Sequence, residues 1–217
     1  MRRAVKPRTD RDFPRRRERA RVTRERVLAA ARALFIDRGY VGTTIDAIAE
    51  QADVSPETIY STFGSKRALL AELVDVTIAG GVDAPAVFDQ GWVRELREEP
   101  DARRRLAILA RNGRTILERR ADVDEVVRGA ASAEPELAAL RDRGKADRFA
   151  GQRQLLNIVV GAAGPRPGLD LDDASDILYA IGSPEMYRLF VVDRGWTADR
   201  FEAWYAETLE RLLFPVT

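Results

Sequence analysis

The 217-residue chain contains no cysteine and no histidine. Without cysteine it can form no disulfide, thiolate metal site or thiol sensor. Without histidine it lacks the commonest general base and transition-metal ligand. Ser-His-Asp and Cys-His catalysis are therefore excluded. Carboxylates remain, but the adjacent pairs Glu98/Glu99 and Asp172/Asp173 fall in loops or helix starts, where acidic side chains ordinarily complement the helix dipole. No catalytic residue, metal site or cofactor is expected, and the chain is not read as an enzyme. No apolar run approaches the ~18 residues of a membrane-spanning helix. The charged amino terminus is not followed by an apolar segment, so the expectation is a cytoplasmic protein with no secretory signal and no membrane partner. Internal repeats and dependable strand-period alternation are also missing.

What is present is 45% hydrophobic residues, enough for a genuine core in one small and one medium domain. The most informative stretch is Thr44 to Lys66, TIDAIAEQADVSPETIYSTFGSK. Ile45 and Ile48, with Ala49 and Ala52, place apolar and small residues on one face of a short helix. Thr43 or Thr44 can cap it, and Asp46 completes a capping-box pattern with Thr43. Asp53 falls where the chain must turn with positive φ, which Asp tolerates better than most residues. Ser55 supplies an N-cap oxygen and Pro56 the first helical position, so a second helix starts there. Ile59 and Phe63 face inward, which turns Pro56, Glu57, Tyr60, Ser61 and Thr62 outward. Two short helices joined by a three-residue corner, with a polar face on the second, form what a major-groove reader requires. Such pairs also serve as plain scaffold in all-helical proteins.

The flanks discriminate. Val27, Leu28, Ala31, Leu34 and Phe35 form a broad apolar stripe on a helix over about 14–38, with Gly39 as its stop. Gly64 and Ser65 end the second short helix and cap a fourth. Residues 23 to 74, TRERVLAAARALFIDRGYVGTTIDAIAEQADVSPETIYSTFGSKRALLAELV, resemble the amino-terminal domain of the TetR family of bacterial transcriptional regulators. The resemblance lies in the Ala-rich first helix ending RGY, the TT-x-x-x-IA pair, the A-x-VS corner, TIY-x-x-F and the final SK. Asp53 departs from the Gly usual there. The resemblance implies that Thr44 and Lys66 contact DNA phosphates, that Tyr60 lies against the backbone or a base, and that the outer face of 56–62 reads sequence. The expected DNA-binding set is Thr44, Ser55, Pro56, Glu57, Thr58, Tyr60, Ser61, Thr62 and Lys66. It further implies an all-α fold: a three-helix helix-turn-helix domain followed by a larger helical ligand-binding and dimerisation bundle.

Charge supports the same reading independently. The whole chain is +1, but residues 1–67 carry +7 and the remainder −6. A basic head gains affinity for DNA through counterion release, and an acidic body does not. The domains expected are a basic, disordered arm over 1–18, a helix-turn-helix domain over 19–66 and a helical domain over 67–217. The arm could enter a minor groove or coat phosphates, the alternative being a solvated tail.

Beyond Lys66 the periodicity predicts helices over 66–79, around Trp92–Leu96, over 101–120, around 123–131 and from Leu137 to about Ala163. GPRPG at 164–168 is a break. Two further helices carry Ile177 to Val192, recapped by Ser183 before Pro184, and Phe201 to Leu213 after Thr197. Their stripes are too wide for one partner, so they are read as a twofold four-helix interface through Tyr187, Val191, Phe201, Trp204, Tyr205, Leu209 and Leu212, the alternative being a deep core within a single chain. Trp92, Asn112, Phe149 and Tyr187 are the candidates for lining a pocket that takes an apolar or amphipathic effector, the alternative for the three aromatics being ordinary core. The expected partners are double-stranded DNA, a small-molecule effector and a second copy of the chain. The alternative is an all-helical enzyme or lipid-carrier domain with the first helices as scaffold.

Overall fold

The computed structural model describes residues 12–215. Ten α-helices follow in order: α1 (Asp12–Gly42), α2 (Ile45–Ala52), α3 (Pro56–Phe63), α4 (Lys66–Ala79), α5 (Gly91–Glu98), α6 (Ala102–Ala130), α7 (Pro135–Val160), α8 (Leu171–Ile181), α9 (Pro184–Tyr187) and α10 (Ala198–Leu213). No strand occurs among the described residues. The fold is the all-α arrangement expected: α1–α3 form the reader, and the remaining helices form the larger bundle.

Local capping chemistry sets the boundaries. Thr44, Ser55, Ser65, Asp101, Asp170, Ser183 and Thr197 each accept a backbone N–H with the side chain at a helix start. Pro56, Pro135 and Pro184 occupy first helical positions, where the missing N–H leaves nothing unpaired. Gly39, at φ 70°, breaks the regular run of α1, and Gly80, at φ 97°, ends α4.

Two expectations are corrected. The helix begins at Asp12, so residues 12–18 of the expected arm are the first turns of α1, and residues 1–11 lie outside the described residues. Arginines and Glu18 are good helix formers, and Arg21 ties the early turns together through Glu18 and Glu25 (2.5 and 2.7 Å). The helices predicted over 101–120 and 123–131 are one helix, α6. No Gly or Pro separates Arg120 from Val123. Arg120 grips Asp124 across the expected joint (2.5 and 3.0 Å), and Ala121 and Val123 are buried.

The apolar core has two parts. The first joins Leu28, Phe35, Ile48, Ile59 and Phe63 of the reader to Leu69, Leu70 and Leu73 of α4, to Val123 and Val127 of α6 and to Leu137 of α7. Packing thus continues past residue 66, and the far end of α6 belongs to the reader's core. The second part fills the bundle around Leu106, Leu109, Leu156, Leu178, Phe201, Tyr205 and Leu209. α6 runs through both parts and is the mechanical spine between them.

Candidate nucleic-acid interface and ligand chamber

The consecutive threonines divide one task. Thr43 is fully buried, and its single hydroxyl proton is shared between Leu34 O (3.0 Å) and Gly39 O (2.8 Å), closing the end of α1. Thr44 is exposed and accepts from Ala47 N (3.1 Å), starting α2. The cap left open between them is therefore Thr44.

At the corner, Asp53 adopts φ 50°, ψ 54°, the only positive φ at a non-glycine among the described residues. Its N–H and that of Val54 return to carbonyls at the end of α2, which is how a left-handed residue closes a helix. Arg26 of α1 reaches across and donates to Ala52 O, to Asp53 O (3.3 Å) and to the Asp53 carboxylate (3.1 Å). Aspartate at this position thus gains a partner that glycine could not have.

The second reader helix presents the expected face. Ile59 and Phe63 are buried, whereas Ser55, Glu57, Tyr60, Ser61 and Thr62 are exposed, with Pro56 and Thr58 intermediate. Tyr60 stands 53% exposed on this face. Ser61 Oγ and Thr62 Oγ1 donate to Thr58 O (3.0 and 2.7 Å), which orients both hydroxyl oxygens on the outer face. Hydrogen bonds from its own backbone and from Ser55 lower the Glu57 pKa, so this face carries one fixed negative charge.

Lys66 sits differently from a free phosphate contact. Its Nζ donates to Tyr40 O and Thr43 O, both at 2.9 Å, and lies 4.2 Å from the centre of the Tyr40 ring. Burial lowers its pKa. An ammonium has three N–H donors, so one stays available outward. Lys66 thereby pins the first residue of α4 to the corner between α1 and α2.

A cavity of ≈ 460 Å³ lies among α4, α5, α6, α7, α8 and α10. Trp92, Leu109, Leu155 and Leu178 give it an apolar wall, and Tyr205 contributes a phenol whose pKa burial raises steeply. Arg148 is held in the wall by Tyr179 O (2.8 Å) and stacks 3.6 Å from the centre of that tyrosine's ring. Val74, Asp75 and Ile78 of α4 form one side. The helix that begins at the reader therefore ends as a wall of the chamber. Arg119 of α6 donates to Ile78 O (3.2 Å) near the end of α4, which couples those two walls.

The structure sorts the sequence candidates. Trp92 lines the chamber; Asn112, Phe149 and Tyr187 do not. Asn112 Nδ2 turns back to Ile108 O (2.8 Å), Phe149 meets Tyr179 edge-on, and Tyr187 is buried against Phe201. Of the residues expected at a twofold interface, Tyr187, Phe201, Tyr205 and Leu209 are buried inside the protomer's own core, the last three on the inward face of α10. Val191, Trp204 and Leu212 stay partly accessible, and Leu189 and Val192 are exposed beside them. Sequence reasoning missed the chamber's other floor residues, among them Gly113, Gly144 and Gly151. Glycines inside otherwise strong helices were the available signal, since each weakens its helix unless space is needed there.

The model for bacterial regulatory proteins of the tetR family matches residues 27–73. The Bacillus subtilis (strain 168) uncharacterized HTH-type transcriptional regulator YvkB is 43% identical over 54 residues, 25% of this chain and 29% of that relative. The match thus spans less than a third of YvkB. YdeS of the same strain, likewise an uncharacterized HTH-type transcriptional regulator, is 28% identical over 171 residues, 78% of this chain and 79% of its own length. Among solved structures, the transcriptional regulator FadR from Bacillus subtilis in complex with stearoyl-CoA superposes with TM-score 0.68 at 19% identity, covering 89% of this chain and 99% of FadR. That likeness extends the common fold through the bundle. Residues 27–73 thus match the TetR family of bacterial regulatory proteins, and the likeness of fold to solved structures runs on through the bundle.

Proposed function

We propose that the chain is a homodimeric transcriptional regulator, a repressor, that binds a palindromic operator through α3 and is released by a small molecule in the chamber. The observation that carries this reading is the outer face of α3: Glu57, Tyr60, Ser61 and Thr62 stand exposed on a helix capped by Ser55, behind a turn that Arg26 holds to α1. The +7 charge of residues 1–67 supplies the sequence-independent part of the affinity. A single helix touches only a few base pairs, each good contact giving ~1–3 kcal/mol of discrimination, so a twofold pair doubles the readout. The pairing surface proposed is the exposed side of the Arg188–Asp193 turn and α10, where Leu189 and Val192 adjoin Phe190, Trp196 and Trp204. That FadR is seen with stearoyl-CoA supports a ligand role for the bundle.

Release follows from the position of α4. A ligand that displaces Val74, Asp75 or Ile78 moves the helix whose first residue holds the reader's corner, and two reader helices that shift apart lose simultaneous register. The ligand acts only as far as it binds one state better than the other, typically ~1–3 kcal/mol of coupling.

Selection of bound duplexes from random DNA tests the reading. Enrichment of a two-fold sequence, with affinity that falls steeply as salt rises, is expected; retention without sequence preference, or none, contradicts it. On the selected site, Tyr60→Ala and Thr62→Ala should cost more than on random DNA. Lys66→Ala should weaken every duplex alike, through one lost phosphate contact and a loosened corner. Equal loss from all three variants on all sequences would mean that α3 does not read bases.

A further inference from the structure

We propose that the chamber and a basic vestibule adjoining it together bind a single-tailed amphiphilic anion, with its chain in the chamber and a phosphate or carboxylate head in the vestibule. This rests on the ligand-responsive reading above and names the chemistry of the ligand.

The vestibule is a second cavity, of ≈ 220 Å³, that shares Val74, Arg120, Leu140, Gly144 and Arg148 with the chamber. Beyond those shared residues the wall changes character. Arg128, Arg141 and Lys145 join Arg120 and Arg148 there, so five cations face only Asp124 and Glu185. This concentration occurs in the part of the chain, residues 68–217, whose net charge is −6. Several of these cations are already paired: Arg120 with Asp124, Arg128 with Glu125 and Arg141 with Asp142. Two are not. Lys145 has no ion pair or hydrogen bond, and Arg148 is satisfied by Tyr179 O, the Gln152 amide oxygen and Gly182 O without any carboxylate. A partly buried guanidinium whose hydrogen-bond acceptors are all neutral, with Glu185 as its nearby carboxylate but not its ion-pair partner, retains charge for an incoming anion.

The rest of the chamber fixes the direction of binding. Its apolar wall suits a hydrocarbon chain and offers a head group little. Asp75 and Asp147 line the chamber but not the vestibule, so an anionic head meets less repulsion in the vestibule. Gly144 lies at the neck between the two cavities. A Cβ there would meet no atom within 4 Å, so the space beside α7 is open, and a side chain at this position would plug the passage rather than disturb a neighbour.

Titration of the full chain by calorimetry, without DNA and below the micelle threshold, tests this with four dodecyl compounds: the phosphate, the carboxylate, the alcohol and the trimethylammonium. Both anions should bind at least ~10-fold more tightly than the alcohol and the cation, because only they gain Coulomb energy in the vestibule. A phosphate that binds more tightly than the carboxylate would identify a phosphorylated head; the reverse would identify a free fatty acid. The double variant Arg141→Glu/Lys145→Glu, on the accessible rim, should weaken the dodecyl phosphate about tenfold and leave the alcohol unchanged. Gly144→Leu should abolish binding of all four. The proposal is overturned if the alcohol or the cation binds as tightly as the anions, if charge reversal changes nothing, or if none of the four binds. Retention of DNA by the same preparation is scored separately. DNA binding without amphiphile binding removes this inference alone, and amphiphile binding without DNA binding removes the regulator reading alone.

Discussion

Asp53 shows how one residue can satisfy a backbone requirement that its side chain does not favour. The left-handed conformation costs an ordinary L-residue roughly 1–2 kcal/mol, less for Asp, and here Arg26 binds both the turn's carbonyls and its carboxylate. Asp53→Val should therefore lower stability by ~1–2 kcal/mol in chemical denaturation, whereas Asp53→Gly should hold or raise it, since the exposed ion pair it loses is worth at most ~1 kcal/mol. Asp75 illustrates the opposite balance. Burial, then Glu72 and Asp147, raises its carboxyl pKa from 3.8, so the fold disfavours the ionised form. An acid with a raised folded pKa takes up its proton more readily folded than unfolded, so its cost is present at neutral pH and disappears as pH falls below the unfolded value. Asp75→Asn should raise the melting temperature at pH 7, with a gain that shrinks toward zero near pH 3. A gain independent of pH would show that the carboxylate charge is not its source. At this scale the sequence was most legible where chemistry is local: Ser55, Pro56 and Thr197 announce helix starts because a cap needs only its own next three residues. Asn112 and Phe149 were not legible, since whether a helical side chain faces a cavity, its own backbone or a neighbouring ring depends on helices far away in the chain.

Among the elements, α4 and α6 join the chamber to the reader's core. α4 starts at the Lys66 clamp and ends at Gly80, where φ is 97° and a Cβ would fall 2.2 Å from Arg119 Nη1. Gly80→Ala should therefore expel Arg119 from Ile78 O and strain the turn. The expected result is a protein destabilised by more than ~1 kcal/mol that keeps its reader but responds less to ligand. An unchanged melting temperature would show that this contact does not hold the two helices. The continuity of α6 was the harder element to foresee. Its apolar residues read as two amphipathic stripes because the helix buries one part in the bundle and the other against α1. A change of partner along one helix looks, in sequence, like a change of helix. The stripes of Tyr187–Val192 and α10 divide in a related way: Tyr187, Phe201, Tyr205 and Leu209 turn into the protomer's own core, while Leu189, Val192, Trp204 and Leu212 keep accessible surface, a division that periodicity alone does not show.

For the molecule as a whole, segregated charge and shared cores account for how a basic reader can be governed by an acidic body. The reader's apolar core includes the end of α6 and the start of α7, so it cannot swing free of the bundle; a change in the chamber must travel through packed helices. In the proposed function, pairing of two copies turns a small helix displacement into lost register on DNA. The most direct test of this account is the sedimentation of the full chain with the duplex that it selects from random sequence, with and without saturating ligand. The account predicts two chains per duplex on a two-fold symmetric site, and free dimer once ligand is added. One chain per duplex, or an occupancy unmoved by any ligand that demonstrably fills the chamber, would contradict it.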